Sequence, residues 1–386
     1  MQREAEIAVI RRFLAHLEAG TTELAPEVLR VPCDAYTSLE HLARETRALF
    51  RRRPVVAGLS PDLPEPGAFF TLEVGGVPLL FVRQADGRVR AFVNVCRHRG
   101  ARLVEGRGVA PGGVLRCPFH AWSYAEDGRL QAIPLAEEAF AELDRSRLAL
   151  HERPVAERSG VILVRAEGTE PVDADEALLG VADDLRALDL ARFHHFETRV
   201  AQWRCNWKLA LETFLESYHV FSLHRESVHP WYFSQPMAFD GFGPNLRFPV
   251  VRRSLAELAA KPEAEWRLVD HATLQWLVAP NALISTTRDE LLLWRFFSPE
   301  PGRCVAVTSF YSAHALGAEA ERERLARAFE LQMRVTGAED FPMQESVQAG
   351  FGAGNREQLF GRNEVAAIHF HRALRELLAD AGSAAP

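Results

Sequence analysis

The chain has 386 residues, of which 47% are hydrophobic and 25% charged, so at about 150 residues per domain it can form two or three domains with buried cores. Its 45 basic and 52 acidic residues give a formal net charge of −7, which argues against general attraction to nucleic acid or to an anionic membrane. No apolar run approaches the ~20 residues of a membrane-spanning helix, and the first residues lack the pattern of a secretory signal. We therefore expect a cytoplasmic protein with no membrane or nucleic-acid partner.

The first half of the chain changes from a helical to a β-rich pattern. Residues 1–45 show apolar positions three and four apart, and a second helix is predicted over 38–50. From Pro66 onward, short β-rich runs are separated by Gly75-Gly76 and by Asp-Gly pairs, which are hairpin signals. The β-rich region ends near residue 168 at a polar linker, where we predict a domain boundary.

The second half mixes helices and strands. A helical stretch is predicted from Trp207 to Tyr218 and long helices over 318–335 and 363–379. Four apolar runs separated by turn residues predict an antiparallel meander, at 272–279, 282–287, 290–298 and 303–311. The fold class is therefore α+β, with an all-β domain over 46–168 and a second domain formed by 1–45 and 169–386.

Four potential metal ligands fall in the β-rich domain. Cys96 and His98 form one short motif, and Cys117 and His120 form another after eighteen intervening residues. Thiolates and imidazoles suit zinc or iron-sulfur centres, and structural zinc sites usually use Cys-x2-Cys pairs. One Cys and one His in each motif instead allows two thiolates on one iron and two imidazoles on the other, the arrangement of a Rieske [2Fe-2S] centre.

The residues around these ligands resemble the Rieske domain of the ring-hydroxylating oxygenase α subunits. The similarity is carried by the strings 94–103, 117–124 and 127–130 and extends over about 46–168. It implies that Cys96 and Cys117 bind the buried iron of a [2Fe-2S] cluster, while His98 and His120 bind the outer iron.

A second group of polar residues interrupts the apolar segment after Trp207. Glu216 and His219 are three residues apart, whereas His219 and His224 are five apart and would diverge on a regular helix, so the helix must end or loosen between them. A lone buried histidine is usually a hydrogen-bonded core residue. Two histidines with a distant carboxylate instead form the facial triad of non-haem Fe(II) oxygenases, which leaves coordination positions for O2.

The same family resemblance suggests roles for the remaining acidic residues. It implies that Asp340 is the third iron ligand, with Glu339 as the runner-up, and that the catalytic domain is similar to the helix-grip fold of an antiparallel sheet with long helices. In the family, the acid three residues before the first iron histidine bridges to a Rieske histidine of a neighbouring subunit. Glu216 would then be the electron-transfer bridge to His120 of the next chain. This requires a homo-oligomer, for which the resemblance implies a head-to-tail trimer.

The implied function is that of a Rieske non-haem iron mono- or dioxygenase. An external ferredoxin or flavin reductase would pass electrons from NAD(P)H to the cluster and on to a mononuclear Fe(II), with O2 as co-substrate and a small organic substrate. Aromatic ring hydroxylation and the N-demethylation or monooxygenation of a methylated amine both fit, and Thr213, Phe214 and Val220 are expected in the substrate pocket. The alternatives are a non-enzymatic Rieske electron carrier and a metal-stabilised binding protein.

Overall fold

The computed structural model describes residues 1–383. Within them the chain forms two compact units, one of residues 49–177 and the other of residues 1–48 together with residue 178 onward. The domain limits expected from the sequence, 46 and 168, remain a prediction, because compactness alone does not show that a segment folds independently.

The first 48 residues are mainly helical. Helix α1 (Arg3–Ala19) buries Val9, Ile10 and Phe13, since positions three and four apart share one helix face. It ends at Gly20, whose φ of +62° is a left-handed conformation that glycine adopts without strain. The elements that follow are β1 (Leu29–Pro32), α2 (Asp34–Thr37) and α3 (Leu39–Glu45).

The unit of residues 49–177 is built from antiparallel strands, which confirms the predicted all-β fold. Its elements are β2 (Val55–Leu59), β3 (Ala68–Val74), β4 (Val77–Arg83), β5 (Val89–Val93), β6 (Arg107–Val109), β7 (Val114–Arg116), β8 (Ser123–Ala125), β9 (Leu130–Ala132), α4 (Ala136–Ala139), β10 (Glu152–Arg153), β11 (Val155–Arg158), β12 (Val161–Val164) and α5 (Ala174–Ala177). The strands form three small sheets with the orders β10-β5-β4-β3-β6, β11-β12-β2 and β7-β8-β9.

The larger unit contains a twisted antiparallel sheet with long helices, as expected for an α+β fold. Its remaining elements are α6 (Ala182–Ala187), β13 (His194–Trp203), α7 (Trp207–Glu212), β14 (Asp240–Phe242), β15 (Asn245–Arg247), β16 (Val250–Val251), β17 (Ala272–Val278), β18 (Ala282–Thr286), β19 (Glu290–Glu300), β20 (Arg303–Ser312), α8 (Glu319–Val335), α9 (Phe341–Gly352), β21 (Glu357–Phe360) and α10 (Val365–Ser383). The strands of the sheet follow the order β13-β20-β19-β18-β17-β15-β14, with β16 beside β17, and β1 and β21 form a separate pair.

Strands β17 to β20 form the predicted meander, because each pairs with the next in antiparallel register. A small apolar cluster of Phe310, Leu325 and Phe329 packs α8 against this sheet. None of the helices within residues 1–383 is both long enough and apolar enough to cross a lipid bilayer.

The helix predicted from Trp207 to Tyr218 is shorter than expected. It ends at Glu212, and a single 3-10 turn, Tyr218–Phe221, follows after a break. The carboxylate of Glu216 accepts the backbone N–H of His219 at 3.1 Å, so a side chain takes a donor that a continuous helix would use. The prediction that the helix ends or loosens between His219 and His224 was therefore placed several residues too late.

Candidate metal centres and adjoining cavity

The first ligand loop follows β5 and carries Cys96 and His98. The buried side chain of Asn94 closes this loop. Its Nδ2 donates to the carbonyl of Val104 at 2.7 Å, and its Oδ1 accepts from the backbone N–H groups of Leu103 and Val104 at 3.1 and 3.2 Å. One neutral side chain thus joins the beginning of the loop to its end, which fixes the backbone on which both candidate ligands lie.

The second ligand loop connects β7 to β8 and carries Cys117 and His120. The Cys117 N–H donates to the Trp122 carbonyl at 2.9 Å, and the Ala121 N–H donates to the Cys117 carbonyl at 3.0 Å. Ala121 has a φ of +58°, a left-handed conformation that costs a residue with a Cβ atom about 1–2 kcal/mol. The surrounding structure therefore holds Ala121 in a backbone conformation that alanine by itself disfavours.

A buried tyrosine links the two loops. The hydroxyl of Tyr124 accepts from the backbone N–H of Arg97 at 2.9 Å and lies 3.4 Å from the Sγ atom of Cys96. Burial, together with the contact to Cys96, raises the pKa of Tyr124, so its hydroxyl stays protonated and can donate to the sulfur.

The ligand atoms fit a cluster whose two ends have different environments. Both cysteines are buried in the core of the unit, whereas both histidines are half-buried, with ring centroids 4.7 Å apart. The Nδ1 atom of His98 is buried and has no protein partner among the described residues, which leaves it available to a metal. Burial, with His120 and Arg99 nearby, lowers the pKa of His98 and favours the neutral ring that metals bind. The residues concerned are Cys96, His98, Cys117 and His120.

The spread of these four residues separates a two-iron cluster from a single zinc ion. Zinc with two thiolate and two imidazole ligands, at about 2.0–2.3 Å each, would hold any three ligand atoms within about 4 Å of one another. No three of these four residues bring their ligand atoms that close together. Within residues 1–383, three potential ligand atoms lie within 4.8 Å of one another at another site, which is described below. The wider Cys and His pairs of the loops therefore fit a [2Fe-2S] cluster, with thiolates on one iron and imidazoles on the other.

Helix α7 leads to the second site and is buried along its whole length. Asn206 begins it by accepting the backbone N–H of Lys208 at 3.0 Å. The ammonium of Lys208 lies 2.8 and 2.9 Å from the two carboxylate oxygens of Glu45, which also accepts from the indole N–H of Trp207 at 3.0 Å. Sequence analysis missed this ion pair, although a lysine inside an apolar helix was its visible signal.

A second polar contact holds the other end of α7. The buried carboxylate of Glu212 accepts from the hydroxyl of Tyr36 at 2.9 Å and contacts the Nε2 atom of His371 at 3.0 Å. Both ends of the helix are therefore fixed by charged side chains, and the chain that leaves Glu212 starts from a rigid position.

Beyond this helix, the structure brings together the three residues predicted as ligands of a mononuclear iron. The Nε2 atoms of His219 and His224 lie 3.4 and 3.0 Å from the same oxygen, Oδ1 of Asp340. Asp340 ends a π-helical turn, Thr336–Asp340, immediately before α9. Two neutral nitrogens and one carboxylate oxygen around a common point are a donor set suited to ferrous iron.

Each histidine ring is held on its far side by another carboxylate. The Nδ1 atom of His219 contacts Oε1 of Glu216, and the Nδ1 atom of His224 contacts Oε2 of Glu339 at 2.7 Å. Ser227 donates to the same Glu339 oxygen at 2.7 Å. Glu339, the runner-up ligand, thus contacts the ring nitrogen that faces away from Asp340, and both rings direct Nε2 toward the common point.

The pKa values of His219, His224 and Asp340 depend on one another. Burial disfavours a charged imidazole, but the hydrogen bonds to Asp340 and Glu216 outweigh it and raise the pKa of His219 to about 10. The pKa of His224 is raised in the same way, whereas burial of Asp340 is outweighed by the two rings and its pKa is lowered. Because metal ligands must be deprotonated, a divalent cation would take the place of the proton that these groups share.

A cavity of about 390 Å³ adjoins these residues. Thr213, Phe214 and Val220, the residues expected in the substrate pocket, all line it. Thr213 also donates to Oδ1 of Asp340 at 3.3 Å, so it contacts the candidate ligand directly. Phe221, the residue after Val220, is half-exposed and lies outside the lining.

Comparison with known proteins agrees with this geometry. The family model described as "Ring hydroxylating alpha subunit (catalytic domain)" matches residues 190–380, and the model described as "Rieske [2Fe-2S] domain" matches residues 53–149. The chain therefore belongs to the family of Rieske ring-hydroxylating oxygenase α subunits.

Several curated and solved proteins resemble this chain. It is 32% identical over 209 residues to the anthranilate 1,2-dioxygenase large subunit of Acinetobacter baylyi, covering 52% of this chain and 44% of that protein. It is 28% identical over 306 residues to the chloroplastic choline monooxygenase of Beta vulgaris, covering 76% and 65%. The structure of the quaternary ammonium Rieske monooxygenase CntA superposes with a TM-score of 0.79 at 20% identity over 95% of this chain and 97% of that one, which shows a shared fold. The chain thus spans less than half the length of the first of these relatives.

Proposed function

We propose that this protein is the terminal component of a Rieske oxygenase. It would take electrons from an external ferredoxin or flavin reductase, ultimately from NAD(P)H, and use O2 to oxygenate a small organic substrate. Aromatic ring hydroxylation and the N-demethylation or monooxygenation of a methylated amine remain the two candidate reactions. The observation that carries the proposal is the convergence of His219, His224 and Asp340 at the wall of a cavity.

The two metal centres would be held by separate residue sets. Cys96, His98, Cys117 and His120 would hold the [2Fe-2S] cluster, and His219, His224 and Asp340 would hold the iron. When bound, the cluster supplies single electrons and the iron supplies the redox chemistry that activates O2.

The protein groups around the iron site have positioning roles in this proposal. Glu216 and Glu339 keep the Nδ1 atoms of the two histidines engaged, so that each ring presents Nε2 in a fixed orientation. Phe214 and Trp294, whose ring centroids are 5.1 Å apart, place apolar surface along the cavity and limit the entry of water.

Glu216 is also proposed as the bridge between subunits of a head-to-tail trimer. Its side chain is 15% exposed and that of His219 is 21% exposed, so the pair is accessible from outside its unit. The proposed partner, His120 of a neighbouring copy, is half-buried beside Phe119, which is largely exposed. A solved quaternary ammonium Rieske monooxygenase is described as showing inter-subunit electron transfer, which is the same kind of route.

The five cysteines are free thiols in the structure. A reducing compartment maintains free thiols, and we place the protein in the cytoplasm on that basis.

Iron analysis of the anaerobically purified protein tests the proposed function. An oxygenase requires about three irons per chain and the absorption spectrum of a Rieske cluster, together with O2-dependent product formation from the dithionite-reduced protein. About two irons per chain without any oxygenation would support the electron carrier instead, and a colourless zinc protein would support the binding protein.

Co-assembly of two inactive chains tests the bridge between subunits. Cys117→Ser removes a cluster ligand and His224→Ala removes an iron ligand, so neither chain alone should turn over substrate. Mixed oligomers should regain activity if electrons cross between chains, and adding Glu216→Gln to the Cys117→Ser chain should abolish that recovery. Recovery that is unaffected by Glu216→Gln would contradict the bridge.

A further inference from the structure

One row of four side chains crosses the sheet beneath the cavity. Gln275 on β17 is paired in register with Ser285 on β18, Ser285 with Leu292 on β19, and Leu292 with Phe310 on β20. All four residues line the cavity. Because side chains alternate between the two faces of a strand, a single cross-strand row lies on one face and its members are direct neighbours. The floor of the cavity is therefore polar at one end and apolar at the other.

The polar end of this row lacks hydrogen-bond partners among the residues that the structure describes. Gln275 is 8% exposed and Ser285 is 6% exposed. The Oε1 atom of Gln275 is buried without a hydrogen-bond partner among residues 1–383, and the Ser285 hydroxyl makes no hydrogen bond to another residue of that range. Buried polar groups are nearly always hydrogen-bonded, and leaving one unpaired costs free energy. The pair therefore has hydrogen-bonding capacity that the fold itself does not use.

Three polar residues around this pair already have hydrogen-bond or ion-pair partners. The hydroxyl of Thr273 lies 3.0 Å from that of Tyr232, and the hydroxyl of Thr286 contacts two backbone carbonyls, each at 2.7 Å. The carboxylate of Glu290 is held by Arg324 at 2.6 Å. Gln275 and Ser285 thus differ from these three neighbours, whose side-chain oxygens already have partners.

The charges along the cavity indicate which chemistry the pair would accept. The acidic residues of the lining, Glu216, Glu290 and Asp340, are each engaged with a histidine or an arginine. Among residues 1–383 the lining includes neither lysine nor arginine. A carboxylate placed at this end of the cavity would be buried without a counter-charge, which is strongly unfavourable.

We propose that Gln275 and Ser285 form a subsite for an uncharged hydrogen-bonding group of the substrate, namely a hydroxyl, a carbonyl or an amide. An amide side chain and a hydroxyl can each both donate and accept, so either kind of group is matched. Leu292, Phe310 and Trp294 would contact the apolar body of the same molecule. The inference rests on the proposed function, in which this cavity admits the substrate, and it narrows the substrate to a neutral molecule with a polar end.

Calorimetric titration with three probes of nearly identical shape tests the subsite. Benzamide carries an uncharged hydrogen-bonding group, benzoate carries a charge, and isopropylbenzene carries neither. The iron-loaded protein should bind benzamide at least about tenfold more tightly than either of the others, because only benzamide pairs with the two buried groups without bringing in a charge. Equal binding of the three probes, or no binding of any of them at millimolar concentration, would overturn the proposal.

Two variants separate recognition from structural support. Gln275→Leu should reduce benzamide affinity about tenfold, reverse the preference in favour of isopropylbenzene, and leave the melting temperature unchanged or raised, since an unpaired polar group is removed. Thr273→Val is the matched control. It should lower the melting temperature, because the hydroxyl of Tyr232 loses the shorter of its hydrogen bonds and keeps the one from Arg252, and it should leave the probe preference unchanged.

If Gln275→Leu lowers the melting temperature and keeps the benzamide preference, the amide has a structural role and the subsite is refuted. Iron analysis of the same samples distinguishes this failure from a failure of the proposed function. About three irons per chain without a benzamide preference would refute the subsite alone, whereas about two irons per chain would refute the oxygenase.

Discussion

The loops that carry Cys96 and Cys117 are fixed by neutral groups, whereas the segment that carries His219 is fixed by charged ones. In the first region Asn94 and Tyr124 both accept hydrogen bonds from backbone N–H groups, and the hydroxyl of Tyr124 also lies 3.4 Å from the sulfur of Cys96. The second region depends on paired charges around α7 and on carboxylates that hold both histidine rings.

The difference follows from what each region would bind. Cysteine thiolates already bring negative charge into a buried position, so neutral donors stabilise them without adding more. Imidazoles need a partner for Nδ1 to present Nε2, and a carboxylate is the strongest available acceptor. The cluster loops should therefore tolerate removal of single hydrogen bonds better than the iron segment tolerates removal of single charges.

Asp340→Ala should have the largest effect, because it removes the carboxylate at which both histidines converge, the proposed third ligand of the iron. Iron should fall from about three to about two per chain, turnover should be abolished, and the visible spectrum of the cluster should be unchanged. Iron analysis and absorption spectroscopy measure this, with the surface variant Asp289→Ala as control. A third iron retained in Asp340→Ala would show that another residue is the ligand.

Lys208→Met should destabilise the fold next most strongly, since it leaves the buried carboxylate of Glu45 without its cation. We expect the free energy of unfolding in urea to fall by about 3–5 kcal/mol. Tyr124→Phe in the cluster unit should cost only about 1–2 kcal/mol. The double variant Glu45→Leu/Lys208→Met should recover much of the loss, and equal costs for Lys208→Met and Tyr124→Phe would contradict the contrast between the two regions.

Glu339→Gln should have an intermediate effect, confined to the iron site. The amide is a weaker acceptor for the Nδ1–H group of His224, so the apparent affinity for ferrous iron should fall about 10–100-fold with the cluster intact. Competition with a ferrous chelator measures the affinity. Glu345→Gln on α9, whose carboxylate contacts Arg204 instead, is the control and should bind iron as the unmodified protein does.

Glu364→Gln should have the smallest effect, visible as a change in pH dependence. Burial, with Glu216 and Glu212 nearby, raises the pKa of Glu364 from 4.5 to about 7. A raised acid pKa means that its favourable contribution is present below about pH 4.5 and is lost as the pH rises through 7. Replacement by Gln should therefore stabilise the protein at pH 8 by about 1–2 kcal/mol, given partial exposure, and not at pH 4. Urea unfolding at the two pH values measures it, and a gain of equal size at both would contradict the titration.

The fold class and the strands of the meander could be predicted because they follow from local patterns. Alternating apolar residues bounded by turns identified β17 to β20, and the two short Cys-His motifs identified the cluster loops. The end of α7 could not be predicted in the same way, since the competing acceptor, Glu216, acts through a side-chain contact that no periodicity reveals.

The sequence by itself determined which donors this protein has, because residue type and short spacing fix the chemistry of Cys96, His98, Cys117 and His120. Only the tertiary structure decided how distant residues combine. It placed Asp340 against the Nε2 atoms of His219 and His224, turned Glu339 to the opposite side of the same ring, and left Gln275 and Ser285 without partners beside the cavity. Such contacts join residues about a hundred positions apart, and they depend on packing and register rather than on any local preference.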